Sequence, residues 1–255
     1  MRRNSVDLRM RFFLRVLACV VAPALLPAQV PAPLADARQL VVVVTPGWNA
    51  TAGTLRRFER DDRAKAWRVV DGEVPVVIGR TGLAWGNGAL ATTPSDPVKR
   101  EGDGRSPAGA FPLDTAFGFA ASSELPWLRL PYASLQAGSD CVDDERSKYY
   151  NTVVDRTHVQ AVDWTSAEHM RQIPVYRLGV IVGYNAQPPE RGRGSCIFLH
   201  IWNGPSSSTA GCTALDAGAL ESLVRWLDHS RRPMMVQLPA DEYRRLRAVW
   251  ALPAL

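Results

Sequence analysis

The sequence predicts a mainly β domain with one or two packed helices, and two observations favour this class. Short apolar runs rich in β-branched residues recur from residue 39 onward, separated by turns that contain glycine and proline. Only two segments have the apolar spacing of a helix, and both lie near the C-terminus. Helices packed on a β-rich domain account for this order better than alternating β and α units.

The first 29 residues are typical of a secretory signal peptide. A stretch with five arginines and one acid precedes the short apolar run VLACVVAPALL, and small residues and prolines follow. The run is shorter than the roughly 20 residues that cross a bilayer. We therefore expect a signal peptide at 1–29, a linker at 30–38 and one domain at 39–255. Export would place the protein in the periplasm or outside the cell, with no stable membrane insertion after signal removal.

The formal net charge of +5 does not indicate a nucleic-acid partner. The expected signal peptide carries +4 of it, so only +1 remains for the rest of the chain. A nucleic-acid-binding domain usually shows a basic patch of its own. We expect no nucleic-acid partner.

Each segment predicted to be a strand is a short apolar run that ends at a turn signal. They are 39–47, 54–61, 65–72, 74–82, 176–185, 195–202 and 234–239. Residues 82–110 are dense in glycine, proline, serine and charge, which predicts a long loop of functional interest.

Two helices are predicted in the C-terminal part. The first follows Asp216, a residue type that caps helix N-termini, and its apolar residues between 220 and 227 have helical spacing. The second has the same spacing between residues 243 and 250. Both would pack on the β-rich domain.

The stretch HIWNGPSSSTAGC, residues 200–212, could carry chemistry. On a strand over 195–202, successive side chains point to opposite faces, so Ile197, Leu199 and Ile201 share an aliphatic face that His200 does not. None of the eleven residues between His200 and Cys212 is ionisable. A cysteine needs a base to become a nucleophile near neutral pH, and His200 is the candidate. An inert histidine and a buried cysteine remain the alternative at this point.

The cysteine count bears on the same stretch. Loss of the signal peptide removes Cys19 and leaves Cys141, Cys196 and Cys212. In an oxidising compartment three cysteines suggest one disulfide and one free thiol. The sequence has no C-x-x-C spacing and its histidines are scattered, so we expect no metal site.

The order of histidine, short loop and Ser/Thr-x-Gly-Cys resembles the YkuD-type L,D-transpeptidase catalytic domain. The segment SPAGAF, 106–111, is similar to that family's Ser/Thr-Pro-x-Gly-x-Phe segment. The stretches VIGRTGLAWG, VKREGDGRSPAG, CVDD, YYN, SAEHM and GVIVGYN resemble parts of exported bacterial proteins with this domain. The resemblance covers about residues 40–238.

The resemblance implies an L,D-transpeptidase-like β-sandwich that acts on peptidoglycan stem peptides without a cofactor. Its cysteine attacks the carbonyl of an L-centre followed by a D-residue and forms a thioester, which an amine or water resolves. Carried over, Cys212 is the nucleophile, His200 the base oriented by the backbone at Ile201, and Gly211 an oxyanion donor together with the Cys212 N–H. The candidate substrate contacts are Trp202, Thr209, Ser106 and Asn185.

With Cys212 as nucleophile, the odd cysteine count and export predict a disulfide between Cys141 and Cys196. The chain departs from the family's commoner form at two positions. Ala210 stands in place of a second histidine, and Ala214 in place of an arginine. These departures leave the donor peptide and the usual acceptor open.

The acceptor is predicted from the expected wall of the site. This wall is Trp202 together with the 82–110 loop, which carries Trp85, Glu101 and Asp103. Acidic groups would attract a cationic amine and an aromatic wall would exclude water, which favours transfer over hydrolysis. Two alternatives stay open. One is a cysteine L,D-carboxypeptidase or endopeptidase that hydrolyses stem peptides or wall-protein links, and the other is a non-catalytic cell-wall-binding module.

Overall fold

The computed structural model describes residues 32–86, 97–186 and 188–255. The expected signal peptide and residues 87–96 of the predicted loop lie outside these ranges. The strands in the described ranges are short, with none longer than eight residues. They are β1 (Gln39–Thr45), β2 (Ala52–Glu59), β3 (Arg68–Val69), β4 (Val74–Val77), β5 (Leu83–Trp85), β6 (Ser106–Pro112), β7 (Thr115–Gly118), β8 (Tyr132–Ser134), β9 (Ser139–Val142), β10 (Val153–Asp155), β11 (Ala167–His169), β12 (Leu178–Ile181), β13 (Phe198–Ile201), β14 (Thr213–Leu215) and β15 (Met234–Pro239).

Within the described ranges, twelve strands form one mixed sheet and three form a second sheet. The large sheet follows the order β5-β6-β15-β1-β2-β4-β14-β13-β12-β7-β8, and β3 pairs with β2. The small sheet has the order β10-β9-β11 and is antiparallel. The described chain is thus mainly β, as the sequence predicts, and consistent with a β-sandwich that carries few helices.

Strands β13 and β14 position the candidate site. They pair in parallel, and His200 on β13 lies beside Ala214 on β14. Parallel neighbours need a crossover connection. Here the loop that returns the chain contains residues 202–212, so Cys212 arrives immediately before β14 and close to the β13 histidine.

Two apolar clusters lie on opposite faces of the 196–201 segment, as the predicted alternation requires. Ile197, Leu199 and Ile201 belong to the main core. Cys196 and Phe198 belong to a smaller cluster, called the second core below. Its buried members are Phe117, Leu135, Cys141, Met170, Tyr176, Cys196, Phe198 and Cys212.

The described ranges contain three α-helices: α1 (Ala32–Asp36), α2 (Ala217–Trp226) and α3 (Ala240–Leu246). Asp216 caps α2 by accepting hydrogen bonds from the backbone of Gly218 and Ala219, as its residue type predicts. The predicted second helix ends at Leu246, earlier than its apolar pattern, and residues 247–250 form turns. In the part of the chain that the structure describes, 3-10 helices occupy Ser122–Glu124, Met170–Gln172, Pro174–Arg177 and His229–Arg231.

Two sequence predictions are corrected here. The predicted linker at 30–38 includes α1, which is packed onto the domain: Leu34 is buried in the main core, and the Arg60 guanidinium donates to the carbonyls of Leu34, Ala35 and Ala37. The predicted 82–110 loop begins with β5 and ends in β6, two paired strands. The apolar residues of β5 are fully buried, and β6 pairs with β15, so neither end is an open loop.

Candidate active site

Two hydroxyl groups hold the main-chain carbonyl of Cys212 in place. The hydroxyl of Ser106 donates to this oxygen at 2.9 Å and that of Thr209 at 2.6 Å. Ser106 in turn accepts a hydrogen bond from the Gly79 N–H. The two segments that carry the sequence resemblance, 106–111 and 200–212, therefore meet at the cysteine backbone.

Cys212 lies in the second core, and the residue is 5% exposed. Its thiol accepts from the Phe198 N–H at 3.3 Å and donates to the Cys196 carbonyl at 3.4 Å. Burial raises the pKa of the Cys212 thiol well above its ordinary value, and the nearby charge of Glu168 adds to the increase. The group is therefore a neutral thiol near pH 7, and it needs a base when it reacts.

His200 is buried at the end of β13. Its Nδ1 lies 2.7 Å from the Ile201 carbonyl oxygen. A carbonyl only accepts, so Nδ1 carries the proton and Nε2 keeps a lone pair. Burial lowers the pKa of His200, while the bond to Ile201 opposes this effect. The ring is thus a neutral base, oriented by the backbone at the position expected from the resemblance.

A pocket of about 130 Å³ brings these groups together. The cysteine, the histidine and the loop between them line it, with further side chains from the segments 168–176 and 214. The lining residues are Glu168, Val175, Tyr176, His200, Trp202, Asn203, Ser207, Ser208, Thr209, Ala210, Cys212 and Ala214. Both departures from the family's form, Ala210 and Ala214, thus line the pocket as small apolar residues.

Glu168 and Tyr176 are pocket residues that the sequence does not predict. The Tyr176 hydroxyl donates to Glu168 Oε2 at 2.7 Å, and it lies within hydrogen-bonding reach of the Cys212 thiol. Burial raises the pKa of Glu168 to about 7, and the acids Asp143 and Glu101 add to the increase. The Glu168 side chain is half-buried. Glu168 lies in the quoted segment SAEHM, where no charge pattern or spacing distinguishes it; the pairing of β11 with β9 brings it to the site.

Cys141 and Cys196 form a disulfide, with a Cα–Cα distance of 5.9 Å, as expected from the cysteine count. Among the described cysteines Cys212 is the free one. Cys196 has a left-handed backbone, with φ of 54°, which is uncommon for a residue with a side chain. Its N–H donates to Asn151 Oδ1 at 2.9 Å. The disulfide and the hydrogen bond to Asn151 together fix Cys196, whose carbonyl accepts the hydrogen bond from the Cys212 thiol.

Of the predicted substrate contacts, Trp202 and Thr209 line the pocket, whereas Ser106 and Asn185 do not. Ser106 is fully buried, and its hydroxyl holds the Cys212 backbone. The Asn185 amide bonds the backbone of Glu190 and Gly194. Neither residue therefore lies at the pocket surface, where the sequence-based prediction of a substrate contact would place it.

The N–H of Gly211, a predicted oxyanion donor, is donated to Thr209 Oγ1 at 3.1 Å. A Cβ at Gly211 would lie 3.1 Å from the Arg105 carbonyl oxygen. This close approach explains a glycine at the position. A substrate oxyanion is a stronger acceptor than a hydroxyl, so it would compete with Thr209 for the same N–H.

The expected site wall is different in the structure. Trp85 is fully buried in the main core and packs edge-to-face on Trp48, with ring centroids 5.3 Å apart. Glu101 Oε2 accepts hydrogen bonds from the hydroxyls of Tyr150 and Ser195. Asp103 pairs with the buried Lys99 at 2.7 Å. These acids are engaged in the protein, so the expected attraction of an amine by Glu101 and Asp103 is corrected.

In the described ranges, no three or more His, Cys, Asp or Glu side chains are grouped so that they could hold a metal ion. No helix in the same ranges is both long and apolar enough to cross a membrane.

No protein-family model, curated protein or solved structure matches the chain. The chemistry that the pocket can perform is therefore inferred from its own side chains. They provide a free thiol, a neutral imidazole oriented by a carbonyl, and a carboxylate bonded to a phenol. A thiol and a neutral imidazole in one pocket can perform acyl transfer through a covalent intermediate.

Proposed function

We propose that the protein is an exported, L,D-transpeptidase-like cysteine acyltransferase that acts on peptidoglycan stem peptides. One observation carries the proposal: the free thiol of Cys212 and the imidazole of His200 line the same pocket, and Ile201 leaves Nε2 of the ring able to accept a proton. The resemblance of the 106–111 and 200–212 segments supplies the substrate class and the exported location.

The first step forms an acyl-enzyme. Cys212 Sγ attacks the carbonyl of an L-centre that precedes a D-residue, and His200 Nε2 takes the thiol proton. Because burial raises the pKa of Cys212 and lowers that of His200, a resting ion pair is disfavoured. Proton transfer therefore accompanies the attack. The same proton then goes to the leaving amine of the D-residue, and a thioester remains.

The second step releases the acyl group to an amine, which gives an exchanged or cross-linked stem. Hydrolysis by water is the rival outcome, and all steps up to the thioester are shared by the two routes. The indole of Trp202 lines the pocket and favours transfer, because an aromatic wall restricts the water that reaches the thioester.

Product analysis tests this function. Purified protein is incubated with a disaccharide-tetrapeptide donor and an excess of a free D-amino acid or a second stem, and the products are identified by mass. Exchanged or cross-linked stems are the expected products. Release of shortened stems alone, at every acceptor concentration, would replace the proposal with the peptidase alternative. Binding to peptidoglycan without turnover would replace it with the wall-binding module.

A further inference from the structure

The pocket contains a carboxylate for which the acylation step has no use. Of the described residues that line the pocket, Glu168 is the only one with a carboxylate. Its negative charge raises the pKa of Cys212, so it opposes formation of a thiolate. Because Glu168 opposes the first chemical step, its presence in the pocket must serve a different step.

The surroundings of Glu168 are those of an acid without a cationic partner. In the part of the chain that the structure describes, it forms no ion pair with a lysine or arginine, and the charged groups that act on it most, Asp143 and Glu101, are themselves acidic. Its carboxylate accepts a hydrogen bond from the neutral hydroxyl of Tyr176. A carboxylate that is partly withdrawn from water is stabilised by a cationic partner, so a cation from outside would complete this site.

We propose that Glu168 binds the ammonium group of the acyl acceptor and accepts a proton from it before the amine attacks the Cys212 thioester. This assignment rests on the proposed function and identifies the acceptor class as a primary amine that is cationic in solution. The residues Glu101 and Asp103, which are engaged elsewhere, do not have this role.

The step balances in protons and bonds. The acceptor enters as an ammonium with three N–H protons and gives one to the Glu168 carboxylate. The freed lone pair forms the C–N bond with the thioester carbonyl, and the C–S bond breaks. The nitrogen keeps one proton as an amide, and the other passes by way of His200 Nε2 to the departing Cys212 sulfur.

The size and hydrogen bonding of the pocket suit this ligand. A volume of about 130 Å³ exceeds the roughly 30 Å³ that one water occupies, which leaves room for an amine and a few carbons. The Tyr176 hydroxyl connects the carboxylate to the thiol region, since it donates to Glu168 and reaches Cys212. An amine held by Glu168 is therefore close to the acylated sulfur.

Among the titratable side chains that line the pocket, Glu168 is the one whose charge changes near neutral pH. Tyr176 and Cys212 stay protonated because burial raises the pKa of both, and His200 stays neutral because burial lowers its pKa. Burial raises the pKa of Glu168 to about 7; the hydrogen bond from Tyr176 opposes this increase, and the charges of Asp143 and Glu101 add to it. Use of a cationic amine should improve as pH rises through about 7, because the carboxylate must be ionised to bind an ammonium.

The test separates the two steps in the Glu168→Gln variant. Acyl-enzyme formation from the tetrapeptide donor is followed by intact mass, and the thioester is then partitioned between water and two nucleophiles. One is a stem peptide with a cationic side-chain amine, and the other is hydroxylamine, which is uncharged at neutral pH. The matched control is Glu73→Gln, which neutralises a half-exposed carboxylate paired with Arg56 outside the pocket.

We expect Glu168→Gln to form the acyl-enzyme at least as fast as the unsubstituted protein, because a negative charge is removed beside Cys212. Transfer to the cationic amine should fall about tenfold or more relative to hydrolysis, while transfer to hydroxylamine is retained. Glu168→Asp, which keeps the charge, should restore part of the preference, and Glu73→Gln should change neither step. In the unsubstituted protein, the KM for the cationic amine should fall as pH rises through about 7, and that for hydroxylamine should not.

Normal acylation with an unchanged partition in Glu168→Gln would overturn the assignment. Loss of acyl-enzyme formation from the donor in this variant would also overturn it and would indicate that Glu168 takes part in transfer of the thiol proton. If Glu168→Gln does not fold, an amine KM independent of pH around 7 in the unsubstituted protein overturns it without any substitution. Absence of an acyl-enzyme in the unsubstituted protein would overturn the proposed function itself.

Discussion

The Cys212 thiol donates a hydrogen bond to the main-chain carbonyl of Cys196, at 3.4 Å. Cys196 is bridged to Cys141 and has a left-handed backbone. The free cysteine is thus positioned by a residue of the disulfide, 16 positions earlier in the chain. The redox state of the bridge and the reactivity of the thiol are physically connected through this one carbonyl.

Removing the bridge should affect both stability and acylation. The Cys141→Ser/Cys196→Ser double variant should lose about 2–4 kcal/mol in the free energy of unfolding, measured with denaturant. Its acyl-enzyme should form more slowly, because the Cys196 carbonyl no longer has a fixed place. The native protein should have one free thiol by titration. Three free thiols after expression in an oxidising compartment, or a double variant with full stability and activity, would contradict this prediction.

Substitution of the nucleophile should abolish turnover. Cys212→Ala should have no measurable activity, and His200→Gln should lose about a hundredfold or more, as expected for a lost general base. Cys212 lies in the second core, so its replacement by alanine also removes buried packing. Cys212→Ser, which is closer in size, serves as the control for packing. Folding of each variant is checked by circular dichroism, and substantial turnover by Cys212→Ala would be incompatible with the assignment.

The pH dependence of acylation should report His200. Its ring acts as a base only when neutral, and burial lowers its pKa below the ordinary value of about 6.5. The single-turnover rate of acylation should therefore persist as pH falls to about 6.5 and decline at lower pH. Stopped-flow or quenched measurements with the tetrapeptide donor give this profile. An acid limb centred above pH 6.5, or the same limb in His200→Gln, would assign the base to another group.

Asp140 should stabilise the small sheet that carries Glu168. Its buried carboxylate accepts from Trp164 Nε1 at 3.0 Å, lies 2.7 Å from His169 Nδ1 and pairs with Arg156. Burial alone would raise the pKa of Asp140, but the hydrogen bonds from His169, Arg156 and Trp164 outweigh it and lower the pKa. Asp140→Asn should cost about 2 kcal/mol in the free energy of unfolding near neutral pH.

The same variant has a pH signature. A carboxyl whose pKa is depressed on folding stabilises above its unfolded pKa of about 3.9, and this contribution is lost as pH falls through the folded value. The difference in unfolding free energy between the two proteins should be constant above about pH 5 and shrink below about pH 4. A difference that does not change with pH would show that packing, and not the charge, accounts for the effect.

Local signals predict a large part of the fold and of the site. Alternation along 196–201 correctly separates the aliphatic face of Ile197, Leu199 and Ile201 from the face of His200, because strand geometry depends only on residue order. The cap at Asp216 and the helix after it follow from side-chain chemistry within four residues. The disulfide follows from the cysteine count and from the nucleophile role that the resemblance gives to the third cysteine.

Long-range pairing determines what the sequence does not predict. Glu168 enters the pocket because β11 pairs with β9, and Tyr176 enters from the 3-10 helix that precedes β12. Neither position has a local pattern that marks it. Glu101 and Asp103 are predicted at the site from their charge, but partners distant in the sequence or within their own turn engage them. Composition shows that a residue is charged and does not show what neutralises it.

The acyl-enzyme is the most direct test of the central claim. The protein is mixed with the disaccharide-tetrapeptide donor without an amine acceptor and quenched in acid, and its intact mass and peptide map are measured. The proposed mechanism predicts a mass increase equal to the donor without its terminal D-residue, located on the peptide that contains Cys212. Hydroxylamine should remove this adduct, and Cys212→Ala should not form it. An adduct on another residue, an adduct that persists in Cys212→Ala, or turnover of the donor with no adduct at any time would contradict it.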